Sequence, residues 1–400
     1  MFRNLLAALI LAASPAAAQD IDVSATIADS GLAATEAALR ASARPDATSR
    51  FALGGVRFLR AVEKTLQLRY RHNATFDGLG IPVLRLPLPP NPNAQPVYPA
   101  LITDLFATLE TDMDAAREAL DGIEGGVSLP VDLAALWFDI NENATRDAGE
   151  GVFEVAASAL AQRPDQAGLG GTSQSVTVRF DTADAAWLRA YTHLLSGVSN
   201  LVIAFDPTDV IAEIGASVEA MEKLRGPGRA DRYSFLRDQE QFVDLFAIAY
   251  GAINRVPDAA RTVAARDHLL AMVSENRKFW QAAGAETDND QEWIPNATQV
   301  SALGFALPED TSSVWLDVLG DAEAVLKGDL LVGHWRIEPG GGVNVARLLE
   351  DPVAVDIVTW IQGNGLLKYM ESGPLVSNEN LRRFERMFGG DALLFMVWLN

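Results

Sequence analysis

Apolar residues recur at helical spacing through most of the chain. Between residues 31 and 71 they predict two helices, separated by a break at Arg44-Pro45-Asp46. An amphipathic helix follows from about Pro99 to Asp121. The clearest stripe runs from Trp187 to Phe205, and the sequence that precedes it, Asp181-Thr182-Ala183-Asp184, is typical of a helix N-terminus. We expect this stripe to pack in the core.

The same periodicity continues towards the C-terminus. It predicts helices at 131–138, 208–224, 234–255, 257–284, 312–327, 344–350 and 352–371. A short apolar run at 330–337, followed by three glycines, predicts a two-stranded hairpin, and the apolar residues 393–398 are expected in the core. The predicted fold is therefore mainly α: a multi-helix bundle or helical-repeat-like array with a small β-hairpin near residues 330–343.

Two segments interrupt the helical pattern. Residues 77–99 contain seven prolines, which predicts a long extended connection. Residues 163–175 are rich in Gly, Gln and Ser and offer little to bury, so they form a candidate boundary. We therefore expect an N-terminal helical region over 19–162 and a C-terminal helical region over 176–400.

The N-terminus has the three parts of a secretory signal peptide. Arg3 supplies the basic start, residues 5–13 form a short apolar run, and Ala16-Ala17-Ala18 supplies the small-residue cleavage site. We expect cleavage of residues 1–18 after Ala18 and a periplasmic or secreted protein. The remaining chain has no second apolar stretch of the roughly 20 residues that a membrane span needs.

Composition and charge exclude several classes of function. The chain has no cysteine, which rules out disulfides, cysteine nucleophiles and thiolate metal sites. Its formal net charge of -21 argues against nucleic acid as a partner, because phosphate binding needs clustered Lys and Arg. Such acidity favours cations where carboxylates converge.

One segment has the oxygen pattern of a cation-binding loop. Within the twelve residues 139–150, oxygen-bearing side chains stand at positions one, three, five, seven, nine and twelve. Alternate residues of such a turn can point inward around one ion, and a final glutamate can close the shell with two oxygens. The candidate ligands are Asp139, Asn141, Asn143, Thr145 (through its carbonyl), Asp147 and Glu150.

This spacing resembles the calcium-binding loop of EF-hand and dockerin-like proteins. The resemblance implies one Ca²⁺ site, entered from a helical turn at 134–138 and left through a helix that begins near Val152. It departs from the pattern at Ala144, where glycine normally allows a left-handed turn, and at Arg146, where a hydrophobic residue normally stands. Two asparagines also lower the ligand charge, so we expect weak affinity.

The other candidate residues match no complete motif of a metal or catalytic site. Acidic residues alternate from Glu286 to Glu292 and could also hold a cation. Pro295 and Gln299 occupy the places of an anchor and a closing carboxylate, however, which favours a solvated acidic turn. The four histidines, His72, His193, His268 and His334, stand in unrelated contexts without a hydrolase motif. Only His334-Trp335-Arg336, beside the three glycines, is a candidate for an unrecognised active site.

Three functional hypotheses follow. The first is an exported helical protein in which one Ca²⁺ fixes an inter-helix loop, serving structure or binding rather than catalysis. The second is a TPR-like helical scaffold that binds a protein or peptide partner without a metal. The third is a hydrolase with a divergent site. The pattern leaves the oligomeric state open.

Export generates the first test. The protein secreted from a Gram-negative host should have the intact mass of a chain that begins at Gln19. Recovery of only an uncleaved product from the cytoplasm would contradict the signal-peptide hypothesis.

Overall fold

The computed structural model describes residues 21–76, 81, 83–155, 175–225 and 240–399. The predicted signal peptide, residues 1–18, lies outside the described residues. So does most of the predicted boundary segment and part of the proline-rich connection.

The first part of the described chain is a set of three helices and one strand pair. It contains α1 (Val23–Arg40), α2 (Ala47–Arg71), α3 (Leu101–Leu120), β1 (Ser128–Asp132) and β2 (Thr177–Asp181). The predicted break before α2 is confirmed, because the Asp46 carboxylate caps that helix by accepting from the Ser49 amide at 2.7 Å. β1 and β2 pair antiparallel, with Val131 opposite Val178.

The helix predicted at 131–138 is wrong. Residues up to Asp132 belong to β1, and only a single 3₁₀ turn, Leu133–Ala135, follows. The reason is a partner distant in sequence: β2 satisfies the backbone groups of β1, and the Leu133 amide donates to the Val176 carbonyl at 2.9 Å. A short apolar run does not distinguish a buried strand from a helix.

Five longer helices follow β2. They are α4 (Thr182–Ala204), α5 (Thr208–Arg225), α6 (Glu240–Ile253), α7 (Ala259–Ala283) and α8 (Thr311–Lys327). Each matches a predicted helix, although residues 234–239 of the helix predicted at 234–255 lie outside the described part of the chain. Asp181 and Asp184 form a reciprocal capping box at the start of α4.

The C-terminal part confirms the hairpin and enlarges it. The strands β3 (Val332–Gly333), β4 (Gly342–Val343) and β5 (Met370–Glu371) form one antiparallel sheet in the order β3-β4-β5. The short helices α9 (Val345–Glu350) and α10 (Ile357–Gln362) contribute apolar residues to the cluster on this sheet. Two more short helices, α11 (Glu379–Phe388) and α12 (Ala392–Trp398), pack in the cluster that contains α7 and α8.

The continuous helix predicted at 352–371 is wrong. Gly363 ends α10 in a left-handed conformation, with φ of 102°. A 3₁₀ segment, Asn364–Tyr369, then leads into β5. Glycine adopts this conformation readily because it has no Cβ. The chain that follows pairs in the sheet as β5 instead of continuing the helix.

Helix α4 is the centre of the core. It packs between α3 and α7, and Leu195 is only 2% exposed. Its other faces are buried as well, because Thr192, Ser196, Ser199 and Asn200 have no exposed surface. The predicted stripe is therefore confirmed as core, but the helix also buries a polar face that the apolar pattern does not indicate.

The C-terminus is held in the same core, as predicted for residues 395–398, although Leu393 is exposed. Leu399 has no exposed surface, and its carbonyl accepts from the Asn276 amide group of α7 at 2.9 Å. The Trp187 indole of α4 donates to the Trp398 carbonyl at 3.1 Å.

The predicted regions 19–162 and 176–400 share the β1–β2 pair and apolar clusters that join α2 and α3 to α4. Among the described residues, no helix combines the length and apolar content needed to cross a membrane. Exposed apolar side chains are concentrated on α5 and α6, and we call them the exposed apolar surface: Met221, Leu224, Phe242, Val243 and Phe246.

The packing of α4 gives the second test. Leu195→Asp places an unpaired charge in the core and should lower the free energy of unfolding by about 3 to 5 kcal/mol. Leu224→Asp, at a helical position that is 87% exposed, is the matched control and should change it little. Equal melting temperatures for the two variants would contradict the core assignment.

Candidate metal centre

The loop 139–150 begins and ends in a short antiparallel ladder. The Phe138 amide donates to the Glu150 carbonyl at 2.8 Å, and the Val152 amide donates to the Leu136 carbonyl at 3.0 Å. The ladder is anchored in the core, where the Trp137 indole donates to the Ile27 carbonyl of α1 at 2.7 Å. The predicted entering helix is thus replaced by an extended segment, whereas residues 152–155 are helical as predicted.

Four of the predicted ligands are joined in a ring of hydrogen bonds. Asp139 Oδ1 and Asn141 Oδ1 both accept from the Asn143 backbone amide, at 3.0 and 3.1 Å. The side-chain amides of Asn141 and Asn143 both donate to Asp147 Oδ2, at 2.7 and 2.8 Å. The structure therefore brings Asp139, Asn141, Asn143 and Asp147 together within the loop.

The sixth position has the conformation that the loop pattern requires. Ala144 has φ of 59°, in the left-handed region, and its amide donates to Asp139 Oδ2 at 3.1 Å. For a residue with a Cβ this conformation costs about 1 to 2 kcal/mol. The loop therefore adopts the turn despite the absence of glycine.

Glu150 lies inside the loop rather than on its rim. The side chain is 1% exposed, and its two oxygens accept from the Ile140 and Asp147 amides at 2.9 and 2.8 Å. Burial raises the pKa of this carboxyl, although the backbone donors act in the opposite direction. Thr145 contributes its amide to Asn143 Oδ1 at 2.8 Å.

A buried carboxylate of α2 extends the negative charge beneath the loop. Glu63 is 1% exposed, and its Oε2 has no hydrogen-bond partner, while Oε1 accepts from Arg60 at 2.8 Å. Gln67 connects it to the loop by donating to Glu63 Oε1 at 3.2 Å and to the Asp139 carbonyl at 2.7 Å. Burial, with repulsion from Asp139 and Glu150, raises the pKa of Glu63 to about 7.

Arg146 anchors the loop at the position where a hydrophobic residue normally does so. Its guanidinium donates to the Ala134 carbonyl at 3.0 Å, which ties the loop to the 3₁₀ turn beneath it. On the opposite side, Arg71 of α2 pairs with Glu142 at 2.8 Å. Two arginines therefore hold the outside of the loop.

A second acidic site joins Glu286 and Glu292 to Asp181, a convergence that the sequence did not indicate. Carboxylate oxygens of Asp181, Glu286 and Glu292 lie within 4.8 Å of one another, a convergence that Asp139, Asp147 and Glu150 do not reach. We call these three residues the acidic triad. The prediction of a solvated turn is wrong for Glu286 and Glu292, which are half-buried and buried, although Asp288 and Asp290 are exposed.

The acidic triad exists because α4 needs a cap. Asp181 accepts from the Ala183 amide at 2.7 Å, and this bond fixes its carboxylate at the helix N-terminus. Arg179 then brings the acidic turn alongside, pairing with Asp290 at 2.6 Å. The capping signal was visible in the sequence, but its proximity to residues a hundred positions later was not.

Mutual repulsion and burial perturb the triad. Burial, with repulsion from Asp181 and Glu292, raises the pKa of Glu286 to about 8, and a protonated Glu286 hydrogen-bonds to Asp181. The pKa of Glu292 is raised for the same reasons, and that of the buried Asp184 is raised well above its usual range. Glu286 therefore retains its proton at neutral pH.

The histidines occupy three kinds of environment. His72 Nδ1 lies 2.7 Å from the Pro96 carbonyl. His334 accepts from the Arg336 amide through Nδ1, and its Nε2 lies 3.2 Å from the Trp360 carbonyl, so the backbone engages both ring nitrogens of this candidate. The prediction that all four contexts are unrelated is wrong for His193 and His268, which are in direct contact.

Comparison of the chain with protein family models, curated proteins and solved structures gave no match. The functional argument therefore rests on the geometry of these residues.

The triad generates a test of pH dependence. In chelator, the folded protein retains a proton on Glu286 between about pH 5 and 8, where the unfolded chain has lost it. Stability should therefore fall as pH rises through this window, by at most about 1.4 kcal/mol per pH unit for one group. Glu286→Gln should flatten the profile of unfolding free energy against pH, whereas Glu118→Gln, at an exposed carboxylate, should not. Identical slopes for all three proteins would contradict this account of the triad.

Proposed function

We propose that this chain is an exported helical protein that binds one structural Ca²⁺ through the loop 139–150. The ligands are the oxygens of Asp139, Asn141, Asn143, Thr145, Asp147 and Glu150. The observation that carries the proposal is the left-handed turn at Ala144, which gives the loop the backbone curvature of the calcium-loop pattern at a residue where that turn is costly.

The charge around the loop supports a cation. The loop and α2 bring three acidic groups into one electrostatic environment, since Asp139 and Glu150 both act on the buried Glu63. An ion at the loop would offset this repulsion without displacing the arginines outside it. Carbonyl and carboxylate oxygens have two lone pairs, so those that accept backbone donors can also coordinate a metal.

The donor set favours calcium over magnesium. Six or seven flexible oxygens suit the larger ion, whereas magnesium requires a tight octahedron and dehydrates reluctantly. The Asn141 and Asn143 side chains must release Asp147 to present their oxygens to an ion, which lowers the affinity. We expect a dissociation constant of about 10⁻⁴ to 10⁻³ M, in the range of extracellular modules.

The acidic triad is a second candidate position for a cation. It is favoured by the convergence of its oxygens and by the raised pKa of Glu286. It offers three carboxylates but no twelve-residue wrapping loop. Variants of the two sites distinguish which one responds to calcium.

The scaffold hypothesis is favoured by a different observation. The exposed apolar surface on α5 and α6 is the kind of patch that often marks a protein interface, with Phe246 stacked on Tyr250. It requires no metal. A protein that ignores calcium but folds normally would leave this hypothesis in place.

Calcium titration of the chelated protein tests the proposal. An ion that binds only the folded state stabilises it by mass action, by about 2 kcal/mol when free calcium is fifty times the dissociation constant. The melting temperature should therefore rise with calcium and much less with magnesium. An unchanged melting curve up to several millimolar calcium would leave the loop as an ordinary polar turn.

Four variants locate the ion. Glu150→Gln should abolish most of the calcium-induced shift, measured against the same variant in chelator because it also loses a backbone acceptor. Glu292→Gln and Asp290→Asn should retain the shift, and its loss in Glu292→Gln alone would assign the ion to the triad. Ala144→Gly relieves a left-handed turn that the loop already has without an ion, so it should raise the melting temperature in chelator and retain the calcium-induced shift.

Ala148→Gly is the matched control within the loop. Ala148 does not have a positive φ, so glycine there relieves no strain and should not raise the melting temperature in chelator. Equal stabilisation by the two alanine-to-glycine changes would contradict a strained turn at Ala144.

A further inference from the structure

Helices α4 and α7 approach closely near their centres. A Cβ placed on Gly197 of α4 would lie 3.2 Å from Leu269 side-chain carbons and 3.5 Å from the Ala265 carbonyl oxygen of α7. The absence of a side chain at Gly197 therefore permits the short separation. One turn away on α4, His193 faces α7 at this same approach.

His193 meets His268 across this interface. Their Nδ1 atoms are 2.9 Å apart, and the ring centroids are 5.2 Å apart with an angle of 44° between the planes. Both side chains are half-buried. At this distance one Nδ1 donates a proton and the other accepts it, so at least one imidazole is neutral.

We propose that His193 and His268 form a two-histidine site for a late first-row divalent metal ion, such as Zn²⁺. Imidazole nitrogen is a preferred ligand of such ions, and two nitrogens bound at about 2.0 to 2.1 Å in tetrahedral geometry stand about 3.3 Å apart. Small ring rotations open the observed distance to that value. Water completes the coordination from the exposed side.

The two rings are already in the state that a metal needs. Burial and the nearby Arg117 lower the pKa of both histidines, that of His193 to about 4. At neutral pH both are therefore uncharged, and no imidazolium has to lose a proton first. The donor ring only moves its hydrogen from Nδ1 to Nε2 through solvent, so binding releases no net proton from the pair.

Charged groups of both signs surround the pair. Arg117 is engaged by Asp114 and donates to Ser196 Oγ at 3.0 Å, and Arg189 pairs with Glu275 at 2.8 Å. These ion pairs reduce the positive charge near the rings, although Arg117 and Arg189 still oppose a cation there. Glu110, Asp114, Asp267 and Glu275 act in the opposite direction.

This site is independent of the calcium loop. Its ligands are nitrogens, which calcium disfavours, and they lie on different helices from the loop. Calcium binding and zinc binding are therefore separately testable, and failure of one leaves the other intact.

Zinc titration of tag-free, chelator-treated full-length protein by calorimetry is the test. We expect one zinc ion per chain. The observed binding enthalpy at neutral pH should not depend on the ionisation enthalpy of the buffer, because the pair releases no net proton. His193→Gln and His268→Gln should each weaken binding about tenfold or more, because chelation by two ligands on rigid helices is lost. His72→Gln, at a histidine that contacts a backbone carbonyl and Tyr98, is the control and should bind as the parent protein does.

A measurement on the unaltered protein covers the case in which a variant fails to fold. Zinc should shift the Nδ1 resonances of two of the four imidazoles in ¹⁵N spectra and leave the other two unchanged. Absence of saturable zinc binding, or equal binding by the parent and both folded glutamine variants, would overturn the proposal. Zinc-induced shifts confined to other histidines would overturn it as well.

Discussion

The burial of α4 on nearly every side is the constraint on which the rest of the structure depends. Leu195 packs with α3, while the small residue Gly197 lets α7 approach closely. A helix enclosed in this way cannot direct its polar residues to water, so it must pair them with neighbours. Asn200 donates to Glu110 at 2.9 Å, and Arg189 pairs with Glu275. The polar chemistry of the core is thus a consequence of helix packing.

Both unanticipated sites lie on this helix. Its N-terminal cap requires the Asp181 carboxylate, and the acidic turn after α7 brings Glu286 and Glu292 against it. Its central turns bring His193 to His268. In each case a residue of α4 or its cap meets a titratable group from an element distant in sequence: Asp181 meets the acidic turn, and His193 meets α7. The raised pKa of Glu286 and the lowered pKa of His193 express the same desolvation acting on groups of opposite charge type.

The loop 139–150 follows a different principle. Its hydrogen bonds are mostly local: side-chain oxygens of Asp139, Asn141 and Asn143 accept from amides a few residues ahead. Such turns form from the sequence itself, which is why the ligand spacing was readable. The core contributes the anchor, through Trp137, and the charge beneath, through Glu63. A cation bound to the loop would therefore contact ligands that local turns arrange, and tertiary packing would hold the loop in place.

The sequence by itself determined the features that depend on neighbours within a few residues. Helical periodicity located α2 to α5, α7 and α8, and the Asp181–Asp184 pattern located the start of α4. Tertiary structure decided what depends on partners distant along the chain. β2 converted the predicted helix before the loop into β1, the sheet ended the helix after Gly363, and helix packing joined His193 to His268. The physical reason is that periodicity records which face of an element is buried, whereas the identity of the group opposite that face is set by the whole fold.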